Sequence, residues 1–562
     1  MREEEQAMKP SVGDRKKTVR DCLVLGCTCL LIYFHGLGRM QLKREEPRQA
    51  LVAREMLATG EWIVPTISGQ PYPAEPPLPS WLIALSAAPT GRVTETTARL
   101  PSALSVVAIV FLIYWTGRTF LGRRAAFLSG LIVATTSLFI ERGVLAEVDV
   151  LFALWMTAAV LFLFRALHKK PSSGLDWLLA YASLALACLT KGPPALVFFF
   201  GTMLALIWLD KDRASLRTRQ HLLGLGVFLA IAAAWVVAVS YQVGPKLFFQ
   251  SMHGQVVRGI ASDSVLRHLA SLFYCPAHVL AGFLPWTPLL LLALGSLRRY
   301  PLGPPRKHLV RFVVIYAAAS LVLGSLCAGR PAGYILPLFP ALALLAGDVC
   351  DRLLSRELAP RLARIGRWCL VATHAALTVA VTVVAVWCVW QWYVPLAHVA
   401  FFSALGLIAS LAGYPCAHRK KYGASFAAIV AVVCVYRVAY VTTYVPDYNA
   451  RESIKHVTGP LKDAMPEDAK LYTVSLGQTM VFFYLDRPAI AFKSVSELAA
   501  GLSSAENAYC LLTKAERRKL ISLQPGVWRQ ALTFRYRDKR TGLFSKGNLS
   551  SRHLGAPSHH RP

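Results

Sequence analysis

The stretch Asp149-Val-Leu-Phe-Ala-Leu-Trp-Met-Thr-Ala-Ala-Val-Leu-Phe-Leu-Phe-Arg-Ala-Leu167 decides the fold class, because no charged residue interrupts it between Asp149 and Arg165. A helix needs about 20 predominantly apolar residues to cross a bilayer. Similar runs recur along the 562 residues, of which 55% are hydrophobic and 16% are charged, and the mean hydropathy is +0.45. Soluble chains carry nearer a quarter charged residues. The sequence therefore predicts a polytopic α-helical membrane protein, and the apolar content excludes disorder for most of the chain.

Thirteen apolar runs are predicted to span the membrane. They lie near residues 22–38, 100–117, 125–140, 149–167, 177–190, 193–209, 223–242, 270–297, 310–328, 332–350, 368–391, 396–416 and 424–443. The segment Leu78 to Ala88 is also apolar, but it is short and flanked by prolines. We predict that it forms an interfacial or re-entrant helix. Trp62, Trp81 and Trp286 are predicted to lie in the aromatic belt at the interface.

The distribution of Lys and Arg predicts the orientation of these runs. With the N-terminus inside, alternate short connections hold 29 basic residues on the inner side and 13 on the outer side. This bias follows the positive-inside rule. The net charge of +30 is thus an orientation signal, and it gives little support to nucleic-acid binding. The resulting organisation is a cytoplasmic segment 1–20, a membrane domain 21–444 with an outer loop 39–99, and a C-terminus outside.

The connections on the outer side hold the unusual ionisable residues. Each of these side chains could simply snorkel to the membrane interface. Ionisable groups at the membrane edge more often mark function, however, and a set on one side predicts a single outward-facing polar cavity. The set comprises Glu45, Glu46, Arg48, Glu147, Asp149, Lys191, His268 and Arg330.

The segment after the last span changes character, because its apolar runs shorten to strand length. Strands are predicted at Leu471–Val474, Ala489–Phe492, Tyr509–Leu512 and Ala531–Tyr536. Helices are predicted at Gln478–Tyr484, Val495–Leu502 and Lys514–Ile521. This alternation predicts a small extracytoplasmic α/β domain at 445–536, built on a parallel or mixed sheet. The basic tail 537–562, rich in Ser, Gly, Pro and His, is predicted to be disordered.

A series of motifs resembles the GT-C type membrane glycosyltransferases, in particular the protein O-mannosyltransferases and the lipid A aminoarabinose transferases. Seven pieces occur in the order and spacing of that family and cover about residues 20–445. They are Glu45-Glu46-Pro-Arg48 with Ala53-Arg-Glu-Met-Leu and Gly60-Glu-Trp62, Tyr72-Pro-Ala-Glu75-Pro-Pro-Leu-Pro-Ser-Trp81, Arg99-Leu-Pro-Ser-Ala-Leu104, Asp149, Leu189-Thr-Lys191-Gly-Pro193, Gly282-Phe-Leu-Pro-Trp286 preceded by His268, and Arg330-Pro-Ala-Gly-Tyr334-Ile-Leu-Pro337.

The resemblance implies transfer of a sugar from a polyprenyl-phosphate donor to a lipid, glycan or protein acceptor, at the outer face of a bacterial inner membrane. Glu45 matches the first family acid and is expected to be the general base. Its alternative role is to begin a helix, because Pro47 suits a first helical position. Glu46 is expected to orient the site or to pair with Arg48. Asp149 is expected to position the acceptor or Glu45, with a helix N-cap as its alternative.

The donor's phosphate needs cations, because negative charge builds up as the sugar leaves. The resemblance implies a substrate-binding set of Arg48, Lys191, Arg258, His268, Arg330 and Tyr334. Arg offers bidentate contact to a phosphate, whereas Lys acts as a point charge. Anchoring to lipid headgroups is the alternative for Lys191 and Arg330.

The chain departs from the family pattern at several positions. The family's acid-Lys dipeptide before Pro-Pro is Ala74-Glu75 here, and the acid expected before Arg258 is Gly254. No cofactor is assigned, and a divalent metal stays open. Two other function classes also stay open: a transporter, and a non-catalytic binder of a lipid-linked saccharide. Against a transporter, the sequence has no internal repeat and no matching pair of broken helices.

Overall fold

The computed structural model describes most of the chain and divides it into two compact units. The described residues are 12–73, 75–168, 174–210, 218–260, 265–297, 303–326, 331–391, 395–463, 465–466, 469–474, 479–487, 489–492, 494–502, 508–525, 528–536 and 539–546. The first unit comprises Met1–Arg39, Ala74–Pro79 and Arg99–Asp447. The second comprises Met40–Pro73, Ser80–Ala98 and Tyr448–Pro562. Most of the predicted outer loop 39–99 therefore belongs to the same unit as the C-terminal segment.

Helices dominate the chain up to the C-terminal segment. The described helices of this part are α1 Val12–Cys29, α2 Glu46–Thr59, α3 Leu78–Ala87, α4 Glu95–Phe120, α5 Arg123–Ala134, α6 Ser137–Arg142, α7 Val148–His168, α8 Gly174–Lys191, α9 Pro194–Asp210, α10 Arg219–Val243, α11 Pro245–Ile260, α12 Val265–Gly282, α13 Thr287–Ser296, α14 Pro304–Leu326, α15 Pro331–Ile335, α16 Leu338–Leu354, α17 Pro360–Gln391, α18 Leu396–His418 and α19 Tyr422–Ala439. The short segment predicted at 78–88 is α3, which has ten residues.

Seven helical segments among the described residues are long and apolar enough to cross a membrane. They are Glu95–Phe120, Val148–His168, Arg219–Val243, Arg306–Ser325, Pro360–Trp390, Leu396–His418 and Tyr422–Asp463. An eighth crossing results if Leu272–Gly282 and Thr287–Ser296, which meet at 113°, form one span. The protein is thus a multi-pass α-helical membrane protein, as predicted.

The other five predicted runs are also helical, but their helices are shorter, less apolar or broken. The run at 125–140 divides into α5 and α6 around Thr135 and Thr136, and the run at 332–350 divides into α15 and α16. Such breaks are tolerated inside a helical membrane protein because neighbouring segments satisfy the freed backbone groups. The count of thirteen spans stays a prediction.

The core of the first unit surrounds α7 and α16. In the 18-residue apolar stretch of α7, 72% of the residues are buried inside the protein, whereas the corresponding share is 22% in each of α10, α17 and α18. Helix α16 is buried on nearly every side. A helix that is apolar all round belongs inside a bundle or in lipid. The prediction of an interfacial Trp286 is wrong, because its ring is fully buried, stacks on Phe426 and donates to Thr135 Oγ1 at 2.9 Å.

The first and last predicted spans both end in a π-helical turn, at Leu30–Phe34 and Tyr440–Tyr444. These turns lie in contact within the first unit. The buried Arg437 donates from Nε to the carbonyl oxygen of Ile32 at 2.7 Å. Gly36 has φ +68°, and a Cβ at this position would collide with Val441. The contact therefore requires a glycine on one side and uses an arginine as a hydrogen-bond donor on the other.

The C-terminal part of the second unit is an α/β segment. Its helices are α20 Val445–Glu452, α21 Lys455–Asp463, α22 Thr479–Leu485, α23 Val495–Gly501 and α24 Lys514–Leu523. The second unit also has a small hairpin, β1 Thr66–Ile67 with β2 Gln70–Pro71. The C-terminal strands are β3 Leu471–Thr473, β4 Ala489–Ala491, β5 Ala508–Thr513, β6 Trp528–Tyr536 and β7 Lys539–Lys546. Each strand and helix predicted between 471 and 536 has a counterpart here.

The strands of the C-terminal segment form a mixed sheet in the order β4-β3-β5-β7-β6. The pairs β3–β4 and β3–β5 are parallel, and the pairs β5–β7 and β6–β7 are antiparallel. The prediction of disorder from residue 537 is wrong for β7. Basic and small residues dominate the composition there, but pairing with β5 and β6 buries Leu543 and Phe544. Other residues of the tail, including 547–562, lie outside the described residues.

A polar cluster joins α17, α18 and α19 inside the first unit. His374 is buried, its Nε2 lies 2.9 Å from Ser425 Oγ, and its carbonyl oxygen accepts from Ser410 Oγ at 2.9 Å. Polar side chains that bond across helices contribute to helix association in membranes. Gly413 lies against the imidazole ring, and a Cβ there would overlap the ring atoms.

We predict that Gly413→Ala destabilises the protein. The added methyl must displace His374 from Ser425, and overpacking of this kind costs about 1–3 kcal/mol. The matched control is Gly226→Ala in α10, where a Cβ would have no neighbour within 4 Å. Thermal unfolding in detergent should show a lower midpoint for Gly413→Ala alone. Equal midpoints for the two variants would contradict the packing assigned to His374.

Candidate active site

The predicted acidic pair lies at the start of α2, in the second unit. Glu45 occupies the N-cap position, but its side chain makes no capping hydrogen bond. Its Oε2 instead pairs with Arg48 Nη1 at 2.9 Å, and 44% of its side chain is exposed. Arg44, just before it, has φ +57°, which directs the chain sharply into the helix. The carboxylate of Glu45 is thus accessible and close to a cation, rather than occupied by the helix terminus.

Glu46 has a different environment from its neighbour. It is fully buried, and its Oε2 accepts the backbone N–H of Lys43 at 2.8 Å. A buried carboxylate that bonds the backbone fixes the local chain, whereas an accessible carboxylate can exchange a proton with a bound molecule. The expected roles of Glu45 as base and of Glu46 as orienting acid stay predictions. Arg48, the expected partner of Glu46, pairs with Glu45 and also lies over the ring of Tyr72 at 5.8 Å.

Glu55, Trp62 and Trp81 make contacts that hold the second unit together. Glu55 accepts hydrogen bonds from Thr66 Oγ1 at 2.6 Å and from the backbone N–H groups of Ser68 and Gly69 at 2.5 and 3.2 Å. It therefore holds the turn of the β1–β2 hairpin against α2. The indole N–H of Trp81 donates to the carbonyl oxygen of Trp62 at 2.6 Å. These contacts give the three residues a structural role, and no catalytic role is needed to account for them.

A second cluster, in the first unit, brings together three of the predicted residues. Lys191 Nζ lies 2.6 Å from Asp149 Oδ1 and donates to the carbonyl oxygen of Gly333 at 2.9 Å. The ammonium also lies 4.4 Å from the ring centre of Tyr334, a favourable cation–π distance. Asp149 lies in the first turn of α7, Lys191 ends α8, and Gly333 and Tyr334 belong to α15. The predicted residues Asp149, Lys191 and Tyr334 therefore converge.

The glycine of this cluster is required by packing. A Cβ on Gly333 would lie 2.5–2.6 Å from both carboxylate oxygens of Asp149. No larger residue fits unless the carboxylate moves away from Lys191. The small residue in the Arg330-Pro-Ala-Gly-Tyr334 motif thus permits the ion pair.

Arg142 is a residue of this cluster that the motifs do not predict, because in the sequence it is one of the 13 basic residues of the outer connections. Its Nη1 lies 2.5 Å from Glu147 Oε2 and 3.6 Å from Asp149 Oδ2. Burial acts to lower the pKa of Arg142, but the carboxylates of Glu147 and Asp149 outweigh it and raise that pKa. Arg142, Glu147, Asp149 and Lys191 are 7–19% exposed at their side chains. The four formal charges cancel.

Several predicted residues cannot be placed. Arg330 and Ala74 lie outside the described residues, and so do the side chains of Arg258, on α11, and His268, on α12. Within the ranges that the structure describes, no group of three or more His, Cys, Asp or Glu residues could hold a metal ion. The question of a divalent metal stays open.

Several known proteins are similar to this chain in sequence. The family model described as dolichyl-phosphate-mannose-protein mannosyltransferase matches residues 74–237. An undecaprenyl phosphate-alpha-4-amino-4-deoxy-L-arabinose arabinosyl transferase of Edwardsiella ictaluri is 31% identical over 60% of this chain. A transferase with the same description from Proteus mirabilis is 26% identical over 70% of this chain. The matched region spans 60% of the Edwardsiella protein and 71% of the Proteus protein.

Among solved structures, ArnT from Cupriavidus metallidurans bound to undecaprenyl phosphate superposes with a TM-score of 0.75. The match covers 95% of this chain and 99% of that chain, at 20% sequence identity. The chain has an ArnT-like fold. The resemblance of its motifs to that family is confirmed, and the ArnT-like fold extends over nearly the whole chain. The roles of the individual site residues stay predictions.

We predict energetic coupling between Asp149 and Lys191. Asp149→Asn and Lys191→Met should each lower the unfolding midpoint in detergent, because each removes one charge of a mostly buried ion pair. The double variant should lose less than the sum, with a coupling energy of about 0.5–3 kcal/mol. The control cycle combines Lys191→Met with Glu141→Gln, an exposed acid beside Arg142. Additive losses in the Asp149 cycle would contradict the ion pair.

Proposed function

We propose that this protein transfers a sugar from a polyprenyl-phosphate-linked donor to a lipid, glycan or protein acceptor at the outer face of a bacterial inner membrane. The main support is the pairing of an accessible acid, Glu45, with an ArnT-like fold. The relatives are named as transferases of an undecaprenyl phosphate-linked sugar, and the solved relative binds undecaprenyl phosphate. The donor class proposed here follows from these names.

Glu45 is the general base of the proposed reaction. A hydroxyl acceptor must lose its proton as it attacks the sugar carbon, and a positioned carboxylate can take that proton. The exposed oxygen atoms of Glu45 meet this need, and its ion pair with Arg48 holds the carboxylate in place before the acceptor arrives. Arg48 in turn lies beside the acceptor's expected position, which gives the substrate-binding role predicted for it a physical basis.

Lys191 provides part of the charge for the departing lipid phosphate. An ammonium group carries three N–H donors. In the described contacts two of them bond Asp149 and Gly333, which leaves one for a phosphate oxygen. Since the cluster of Arg142, Glu147, Asp149 and Lys191 is neutral, we propose that Arg258, His268 and Arg330 supply the additional positive charge or hydrogen bonds. Tyr334 supports the donor site by holding the ammonium of Lys191.

The topology proposed for the enzyme has thirteen spans. It places the N-terminal segment inside, and it places the loop 39–99 and the α/β domain 445–536 outside the cytoplasm. The alternating basic connections support this arrangement. No cofactor is part of the proposal, and turnover in EDTA tests whether a divalent metal takes part.

The topology predicts opposite results for two reporter fusions. An alkaline phosphatase fused after Tyr444 should be active, because that enzyme folds only outside the cytoplasm. The same reporter fused after Arg361 should be inactive, and a cytoplasmic reporter there should be active. Activity of one reporter type at both positions would contradict the thirteen-span arrangement.

The acid–base proposal predicts that Glu45→Gln lowers turnover by about 10²–10⁴-fold, the usual contribution of a general base. The assay follows radiolabelled sugar from its polyprenyl-phosphate donor to an acceptor in membranes or detergent. Donor binding should survive, because the amide keeps the size of the side chain. Glu45→Asp should retain part of the activity, and Glu46→Gln should lose less than Glu45→Gln.

Three outcomes would contradict this reading. Normal turnover of Glu45→Gln would mean that the acceptor is already an anion or that another group takes its proton. Greater sensitivity at Glu46 or Asp149 would assign the base to that residue. Donor binding by the wild-type protein without release of sugar would favour a transporter or a non-catalytic binder.

A further inference from the structure

Three of the four residues before the acidic pair are fixed one after another, all within the second unit. The buried Gln41 donates from Nε2 to the carbonyl oxygen of Glu452 at 2.9 Å, and its Oε1 accepts the backbone N–H of Ile454 at 2.8 Å. The backbone N–H of Leu42 donates to Tyr484 Oη at 2.8 Å, and that of Lys43 donates to Glu46. Two of these three anchors come from the C-terminal segment.

Tyr484 is the centre of a short polar chain. Its hydroxyl accepts from Leu42 and donates to Glu95 Oε1 at 3.0 Å. Lys455 Nζ lies 3.0 Å from the same Glu95 oxygen and 5.3 Å from the centre of the Tyr484 ring. A negatively charged acceptor fixes the direction of the hydroxyl proton, so that the lone pairs of Tyr484 Oη face the Leu42 N–H. Such chains of hydrogen bonds strengthen one another.

The same helix of the C-terminal segment holds α2 at a second point. Arg54 donates to the carbonyl oxygens of Phe482 and Phe483 at 3.3 and 3.1 Å, and it pairs with Asp486 at 3.0 Å. Arg54 lies two turns beyond Glu46 on α2. Helix α22 and the residue that follows it thus anchor α2 along its length, while Tyr484 anchors the segment that enters it.

We propose that Tyr484 is a positioning residue for Glu45, acting through the backbone of Leu42. This inference rests on the proposed function, because it assumes that Glu45 takes part in transfer. The Leu42 amide is three residues from Glu45, and the intervening Lys43 and Arg44 are constrained by a hydrogen bond and by a positive φ. A shift at Leu42 therefore reaches the Glu45 carboxylate, and displacement of a reacting group by about 1 Å can cost 10²-fold in rate.

The test is Tyr484→Phe, which removes only the hydroxyl. We expect kcat to fall by about 10-fold or more, because small displacements of a catalytic group act on the reacting geometry. The KM for the polyprenyl-phosphate donor should change by less than about twofold, since the proposed phosphate ligands are untouched. Lys455→Met keeps the hydroxyl and should have a smaller effect. The matched control is Tyr472→Phe, a tyrosine of β3 in the same unit, which should leave kcat unchanged.

Hydrogen–deuterium exchange of the full-length protein in detergent gives a readout that is independent of activity. The Leu42 amide should exchange faster in Tyr484→Phe than in wild type or Tyr472→Phe. Unchanged exchange at Leu42 would overturn the proposal even if kcat fell. Faster exchange with normal kcat, or a change confined to KM, would overturn the positioning role. If the wild type transfers no sugar at all, the proposed function fails, while the exchange result still decides whether Tyr484 restrains Leu42.

Discussion

The carboxylate of Asp149 holds together the part of the membrane domain on which the proposed donor site depends. It binds the ammonium of Lys191 from one helix and lies against Gly333 of another, while Arg142 approaches its second oxygen. Charges at the edge of a membrane are costly unless they are paired. The pairing permits two cations to lie close together at the proposed donor site without leaving either one alone in a low-dielectric environment. In the proposed function, a phosphate that enters this site meets groups that are already oriented.

The two neighbouring acids show how one short motif can supply two functions. Glu45 and Glu46 are the same residue type, but the entry of the chain into a helix turns one toward solvent and the other into the protein. A sequence position alone does not predict this difference. It arises because the buried acid takes up a backbone N–H, which leaves its neighbour on the accessible side. In the proposed function, adjacent residues thus serve the stability of the segment and the reactivity of the site.

The membrane class, the helical runs and the convergence of Asp149, Lys191 and Tyr334 could all be predicted from the sequence. The length of an apolar run indicates whether a helix lies in lipid, and ionisable residues at the ends of helices indicate a polar cavity.

The role of Arg142 could not be predicted, because a basic residue in a loop looks the same in the sequence whether it orients the chain or neutralises Glu147. The helix breaks at Thr135 and before Leu338 could not be predicted, because the sequence is continuously apolar there. Strand β7 could not be predicted, because it lies in a basic stretch rich in Ser and Gly. Its burial depends on strands that are distant in sequence. The polar chain around Tyr484 links residues some four hundred positions apart, and no local pattern reports such a contact.

The junction between the first and last membrane helices has a consequence for how the protein is made. The hydrogen bond from Arg437 to Ile32 joins residues separated by 405 positions. The helix that leads to Ile32 is synthesised long before Arg437, so this contact can form only after the later helix has been made. Until then a loosened turn of backbone must be accommodated by lipid headgroups, by water or by the insertion machinery. A chain that stops before Arg437 lacks this contact.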